Sequence, residues 1–164
     1  AWLELLIGTF HVRLLPPWQA NLGKRLVKSP KFYFKDSGIL HSLLETDSFD
    51  ELLAHPAFGA SWEGFVLEQV QCSFPDARYS YYRTASGVEA DLVVEKGRKR
   101  FVIETKASSA PAPTKAFWTA LDDLKPQRSW IVAPVESGWP LRTGAGVESL
   151  PGLLDALGGE FDSP

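Results

Sequence analysis

The spacing of hydrophobic residues predicts alternating helices and strands in the second half of the chain. Apolar residues recur at helical spacing over about residues 57–72. An alternation of period two predicts three strands, over 78–83, 88–95 and 100–107. A proline-rich linker then leads into a helix through Leu124, and the apolar run 129–133 is typical of a buried strand. The order α-β-β-β-α-β, followed by a helix over 150–157, indicates a domain of the α/β class.

The first 56 residues predict a smaller helical and hairpin unit. Short strands are expected over 11–15 and 31–34, Asp36 is well placed to cap a helix, and Asp47 or Ser48 can cap another. We therefore divide the chain into an accessory extension (1–56), a core domain (57–157) and a tail (158–164) that we expect to fray.

Composition narrows the class of protein. No run approaches the roughly 20 apolar residues that a membrane helix needs, and no signal peptide is recognisable, so we expect a soluble cytoplasmic protein without a membrane partner. The lone cysteine, Cys72, excludes an internal disulfide and a multi-cysteine zinc site, and its apolar surroundings predict a buried thiol. The absence of methionine and the apolar opening run lead us to expect a fragment of a larger protein.

Positive charge is concentrated at the start of the chain. Residues 1–36 hold six Lys and Arg against the two acids Glu4 and Asp36, a net charge of +4. Since the whole chain carries −3, the remainder carries −7. Such a basic arm can contact phosphates, but it can equally be a solvated loop or face an acidic neighbour.

The strands at 88–95 and 100–107 contain a pattern with chemical consequences. Residues 96–99 suit a two-residue type II′ turn with Gly97 at its first central position. A turn of that kind aligns three pairs across the strands: Val93 with Val102, Asp91 with Glu104, and Glu89 with Lys106. The alternation also places Val88, Ala90, Leu92 and Val94 on one face of their strand.

The pairing of Asp91 with Glu104 brings two carboxylates face to face. Like charges at such positions are destabilising unless a proton, a basic group or a metal ion offsets the repulsion. A hard divalent cation bound by carboxylate oxygens would do so, with Lys106 beside it. The alternatives are a solvated mixed face, or a three-residue loop that shifts the register and separates the two acids.

Glu63 is a third candidate acid. It falls inside the apolar arc of the helix over 57–72, where a desolvated carboxylate needs a partner, whereas Glu68 is expected to point towards water. The position of Glu63 near a helix start, with a cap on Ser61, is an alternative explanation.

Three stretches of the chain resemble a known family. The run YYRTASGVEADLVVEKGRKRFVIETK resembles the E-x-D … E-x-K signature of PD-(D/E)XK nuclease-like domains. With KSPKFYFKDSGIL and GASWEGFVLEQV, it resembles more closely the uncharacterised C-terminal domain attached to AAA-family ATPases of bacteria and archaea. The resemblance covers about residues 11–135 and implies a restriction-endonuclease-like core with a mixed central sheet flanked by helices. Ala90 departs from the proline of the superfamily's name, and the chain has no phosphate-binding loop of the ATPase kind.

The resemblance also implies roles for individual residues. Asp91 and Glu104 would bind Mg²⁺ or Mn²⁺, Glu63 would be a supporting acid and metal ligand, Lys106 would orient water or stabilise charge, and Glu89 would be an accessory acid. The expected function is metal-dependent cleavage of nucleic acid, DNA above all, alongside an ATPase domain of the same protein.

The alternative is a non-catalytic module that binds DNA or protein for the attached ATPase, or a docking domain without affinity for nucleic acid. Trp18, beside the basic arm, is the tryptophan best placed to stack on a nucleotide. The basic residues expected to contact nucleic acid are Lys24, Arg25, Lys28, Arg83, Arg98 and Lys99.

Overall fold

A six-stranded mixed sheet forms the centre of the molecule. The computed structural model describes residues 2–19, 23–142 and 144–163. The helices are Trp2–Gly8 (α1), Ser37–Leu43 (α2), Phe49–Ala54 (α3), Phe58–Ser73 (α4), Lys115–Leu124 (α5) and Leu150–Asp162 (α6). The strands are Val12–Leu15 (β1), Lys31–Phe34 (β2), Arg78–Arg83 (β3), Glu89–Lys96 (β4), Lys99–Thr105 (β5), Arg128–Val132 (β6), Trp139–Pro140 (β7) and Ala145–Glu148 (β8).

The strand order in the large sheet is β3-β4-β5-β6-β8-β7. Strands β3, β4 and β5 form an antiparallel meander, β6 and β8 continue it in parallel with β5, and the short β7 runs antiparallel at the far edge. Helices cover both faces, as the parallel part of a sheet requires. The predicted α/β class with a mixed central sheet is therefore confirmed.

Each face of the sheet has its own hydrophobic cluster. Helices α4 and α6 cover one face through Val66, Leu67, Val70, Leu153 and Leu157, which pack on Leu92, Val94, Phe101, Ile103, Trp130 and Val132. Helix α5 covers the other face through Phe117, Ala120 and Leu124, which pack on Val93, Val102, Ile131 and Val147. Burial of these side chains supplies the main driving force for folding.

The extension has its own two-stranded sheet but shares the core of the larger one. Leu15 and Tyr33, from β1 and β2, lie in the hydrophobic cluster under α4. The loop between them also bonds to the outer edge of β3: Trp18 N donates to Tyr81 O, and Tyr81 N donates to the carbonyl of Pro16 at 3.0 Å. The extension therefore covers an edge strand that would otherwise be open to pairing with other chains.

The helices begin at residues that the sequence marks. Asp36 accepts hydrogen bonds from the backbone of Gly38 and Ile39 and caps α2, and Ser48 accepts one from Glu51 N and caps α3. Both predicted caps are confirmed. None of the described helices is long and apolar enough to cross a membrane.

The end of the chain differs from the prediction. The expectation that the tail would fray was wrong for the residues up to Asp162, because α6 continues that far despite Gly158 and Gly159. Its last turn is fixed by Phe161, whose ring packs edge-on against Phe74 and Phe101 at centroid distances of 5.1 and 5.5 Å. Tertiary packing thus outweighs the low helix propensity of two adjacent glycines.

Two side chains of α4 also differ from expectation. Cys72 is exposed rather than buried, because it lies about 200° around the helix from the buried Val70. Glu68 was expected in water, but it is only 6% exposed and forms an ion pair with Arg13 of β1. The extension lies over that side of the helix, which the sequence of α4 alone does not reveal.

The turn between β4 and β5 has the predicted form. Lys96 pairs with Lys99, and Gly97 has a φ of 62° whereas Arg98 has no positive φ, as a type II′ turn requires. Val93 consequently lies opposite Val102, and the predicted register is confirmed over the described ladder.

A β-bulge interrupts β4 beside the candidate site. The backbone pairs on either side of the bulge are Ser80 with Val93 and Tyr82 with Ala90. Ser80 and Tyr82 are two residues apart in β3, whereas Ala90 and Val93 are three residues apart in β4. Asp91 and Leu92 thus lie together opposite Tyr81. The predicted single face for Val88, Ala90, Leu92 and Val94 was wrong, because the extra residue turns Val88 and Ala90 towards the cluster under α5.

Candidate functional site

Asp91 lies where the ladder between β4 and β5 ends. The last pair is Leu92 with Ile103. Beyond it, Asp91 Oδ2 accepts hydrogen bonds from Thr105 N at 2.8 Å and from Thr105 Oγ1 at 3.0 Å. The carboxylate therefore takes the place of a backbone acceptor and is held firmly, with Oδ1 left for another partner.

Glu104 is the second buried acid of the site. Glu104 is 8% exposed, and its Oε1 accepts a hydrogen bond from Lys106 Nζ at 2.8 Å. The other oxygen, Oε2, is buried and has no hydrogen-bond partner. A buried, unpaired carboxylate oxygen is costly, so the structure contains an acceptor that a cation or a donor would satisfy.

The two carboxylates influence each other's ionisation. Burial raises the pKa of Asp91 to about 7, and repulsion from Glu104 and then Glu63 acts in the same direction. Burial likewise raises the pKa of Glu104, although the hydrogen bond from Lys106 opposes it. For Lys106, burial alone would lower the pKa, but the contact with Glu104 outweighs it and the pKa is raised. The pair thus favours a bound positive charge or a shared proton.

A lysine from the extension reaches the acidic cluster, which consists of Asp91, Glu104, Glu63 and Glu89. Lys31 Nζ lies 2.9 Å from Glu63 Oε1, 2.6 Å from Glu89 Oε1 and 3.9 Å from Asp91 Oδ1. Its ammonium also lies over the ring of Tyr81, 5.2 Å from the centroid. Burial would lower the pKa of Lys31, but the neighbouring carboxylates, Glu63 first, raise it overall. One face of the acidic cluster is therefore occupied by a charged side chain.

Glu63 projects from α4 into this cluster and is held by two residues of β2. Lys31 and Tyr33 both donate to its Oε1. The sequence pattern predicts no role in the site for either residue, although the alternation of β2 places both on one face. Their partner could not be inferred, because the docking of β2 against α4 is set by tertiary packing.

Glu89 differs from the predicted pairing. Instead of facing Lys106, it contacts Lys31 and also Arg83, whose Nε lies 3.1 Å from Glu89 Oε2. The expected Glu89–Lys106 pair was wrong because the bulge at Asp91 shifts this end of β4 relative to the register set by the turn.

The basic residues named from the sequence do not form one surface. Lys24 pairs with Asp123, and Lys99 Nζ donates to the carbonyl of Glu160 at 2.7 Å, where it stabilises the end of α6. Trp18 is only 7% exposed and its ring lies against Arg100, so little of the ring is open to a nucleotide although the residue lines a cavity. The exposed cations Arg25 and Lys28 line, with Lys24, a cavity of about 1040 Å³.

The donor set fits a small hard cation. Asp91 and Glu104 offer carboxylate oxygens, one of them buried and unpaired, as Mg²⁺ and Mn²⁺ prefer. Within the described part of the chain, no three His, Cys, Asp or Glu side chains are arranged around a common point as ligands.

The fold and the acidic cluster define an α/β domain with a largely buried carboxylate site, and sequence comparison identifies its family. Residues 58–151 match the family described as a domain of unknown function, DUF4143, and the chain belongs to that family. Residues 1–50 match a second family, also described as a domain of unknown function, DUF8612.

Two mycobacterial relatives match most of the chain. They are the uncharacterized proteins Rv2008c of Mycobacterium tuberculosis and Mb2031c of Mycobacterium bovis, each 42% identical over 140 residues. The match covers 85% of this chain but 32% of each relative. The chain therefore spans about a third of the length of the curated relatives it matches.

Proposed function

We propose that this domain is a metal-dependent nuclease of the PD-(D/E)XK kind, which hydrolyses phosphodiester bonds, with DNA as its preferred substrate. The observation that carries the proposal is the buried pair Asp91 and Glu104, in which Glu104 keeps an unpaired oxygen and contacts Lys106. The element order α4-β3-β4-β5-α5-β6 matches the order expected for that superfamily's core.

Each residue has a defined role in this proposal. Asp91 and Glu104 would hold Mg²⁺, which when bound polarises a phosphate oxygen and lowers the pKa of water. Thr105 orients Asp91 through two hydrogen bonds. Lys106, anchored on Glu104 at 2.8 Å, would supply an ammonium that stabilises negative charge developing on the phosphate. We further propose that an ATPase domain lies elsewhere in the full-length protein, as the resemblance implies; the match covers only 32% of each relative, which leaves room for such a domain.

Supercoiled plasmid with Mg²⁺ or Mn²⁺ tests the proposal. We expect the wild type to nick or linearise it, and Asp91→Ala to lose activity by at least about a hundredfold, because a metal-holding carboxylate is removed. Asp76→Ala, in the exposed loop before β3, is the matched control and should retain full activity. If the wild type leaves plasmid and single-stranded RNA intact with both metals, this domain is not a nuclease.

A binding module is the second candidate, and the cavity lined by Lys24, Arg25 and Lys28 favours it. Comparison of the wild type with Asp91→Ala in both binding and cleavage separates the two functions. A module that only binds DNA would shift duplex DNA in EDTA equally well with and without this substitution, and neither protein would cut plasmid. A nuclease would cut plasmid as the wild type, and Asp91→Ala would retain binding in EDTA but lose that cleavage.

A further inference from the structure

Lys31 has the contacts of a cation resident in the acidic cluster. Its ammonium lies within 3 Å of one oxygen each of Glu63 and Glu89. Three N–H donors satisfy these acceptors in the way a small cation would, and the side chain is only 20% exposed. Because the effective dielectric constant is lower away from solvent, this ammonium attracts the two carboxylates more strongly than an exposed lysine attracts an exposed acid.

The cluster therefore has two unequal halves. On one side, Glu63 and Glu89 are occupied by Lys31, with Tyr33 and Arg83 as additional donors. On the other side, Glu104 has a buried oxygen without a partner. Asp91 lies between the halves, 3.9 Å from Lys31 through Oδ1 and bonded to Thr105 through Oδ2.

We propose that Lys31, contributed by the extension, occupies the position of a second cation at the Glu63 and Glu89 side of the cluster. A divalent metal ion is thereby confined to the Asp91 and Glu104 side, at one ion per chain. Glu63 serves as the anchor of Lys31 and not as a metal ligand. This inference rests on the proposed metal site and specifies how many ions that site takes and which residue limits it.

Calorimetric titration of Mn²⁺ alone tests the proposal without any substrate. We expect the wild type to bind one ion. Lys31→Met keeps most of the side-chain length but removes the charge, so Glu63 loses its ammonium partner and Glu89 keeps only Arg83. This variant should bind a second ion or bind the first at least about tenfold more tightly. Lys125→Met makes the same change at an exposed lysine at the end of α5 and should bind Mn²⁺ like the wild type.

The outcomes distinguish a failure of the role proposed for Lys31 from a failure of the proposed metal site. If the wild type binds one ion and Lys31→Met is unchanged in both stoichiometry and affinity, Lys31 is not a resident cation, while the metal site stands. If neither protein binds Mn²⁺, the metal site itself is refuted, and with it both the nuclease and the role of Lys31.

A measurement on the wild type covers the case in which Lys31→Met does not fold. Reductive methylation followed by mass spectrometry reports how freely each lysine amine reacts. Lys31 should stay protected relative to Lys28 both in EDTA and at saturating Mn²⁺, because the metal binds beside it and does not replace it. If Mn²⁺ raises the reactivity of Lys31 to that of Lys28, the metal displaces the ammonium and the proposal is wrong.

Discussion

At the scale of single residues, Asp91 is the most strongly perturbed acid of the site. The side chain is 16% exposed and faces charges from three elements: Glu104 on β5, Glu63 on α4 and Lys31 on β2. Two of these charges repel it and one attracts it, while Thr105 donates two hydrogen bonds. Burial is the largest effect, and its result is a pKa of about 7.

This pKa predicts how stability changes with pH. An unfolded aspartate has a pKa near 3.9, so between about pH 4 and pH 7 the folded state holds a proton that the unfolded state has released. The free energy of unfolding must therefore fall as pH rises through this window. In EDTA, we expect the free energy of unfolding of Asp91→Asn to rise relative to that of the wild type by about 3–4 kcal/mol between pH 4 and pH 8, measured by urea unfolding.

Asp76→Asn is the control, because Asp76 is exposed in the loop before β3. Its stability relative to the wild type should not change over the same pH range. A constant difference between Asp91→Asn and the wild type would show that Asp91 is not protonated in the folded protein near neutrality.

At the scale of elements, the hairpin of β4 and β5 sets the geometry of the site. The turn at Gly97 and Arg98 fixes which residues face each other, and the bulge then places Asp91 outside the regular alternation. A glycine at a φ of 62° avoids the steric cost that a side chain meets in the left-handed region.

Two glycine substitutions should therefore have opposite effects. Gly97→Ala should destabilise the protein by about 1 kcal/mol, because alanine is strained at positive φ. Gly59→Ala, at an exposed position of α4 with nothing within 4 Å of the new Cβ, should stabilise it by about 0.5–1 kcal/mol. Chemical denaturation of both variants checks the prediction, and equal signs would contradict it.

At the scale of the whole molecule, the extension and the core domain share one hydrophobic cluster. Leu15 is 1% exposed and packs in the cluster under α4, while Glu68 of α4 pairs with Arg13 of β1. The extension also supplies Lys31 to the acidic cluster. Contacts of this extent couple two units into one folding reaction.

We expect the two units to unfold in a single transition. Leu15→Ala should lower the free energy of unfolding of the whole chain by about 2–4 kcal/mol, because it leaves a cavity in the shared cluster. Far-UV circular dichroism and tryptophan fluorescence should report the same midpoint. Leu53→Ala, at a residue that is 47% exposed, is the matched control and should have little effect. Separate transitions by the two probes would show that the extension folds independently.

The sequence by itself determined those features that depend on neighbours along the chain. The period-two and helical patterns located β3, β4, β5, α4 and α5 to within a few residues, and the residues at the turn gave the register of the hairpin. The caps at Asp36 and Ser48 could be predicted for the same reason, since a cap bonds to the backbone of its own first turn.

The tertiary structure alone decided which distant residues meet. The salt bridge of Arg13 with Glu68, the contact of Lys31 with Glu63 and Glu89, and the packing of Phe161 all join segments far apart in the chain. The bulge at Asp91 likewise has no signal in the alternation of β4. Such features depend on how whole elements dock against one another, and burial is largely non-directional, so local patterns do not specify them.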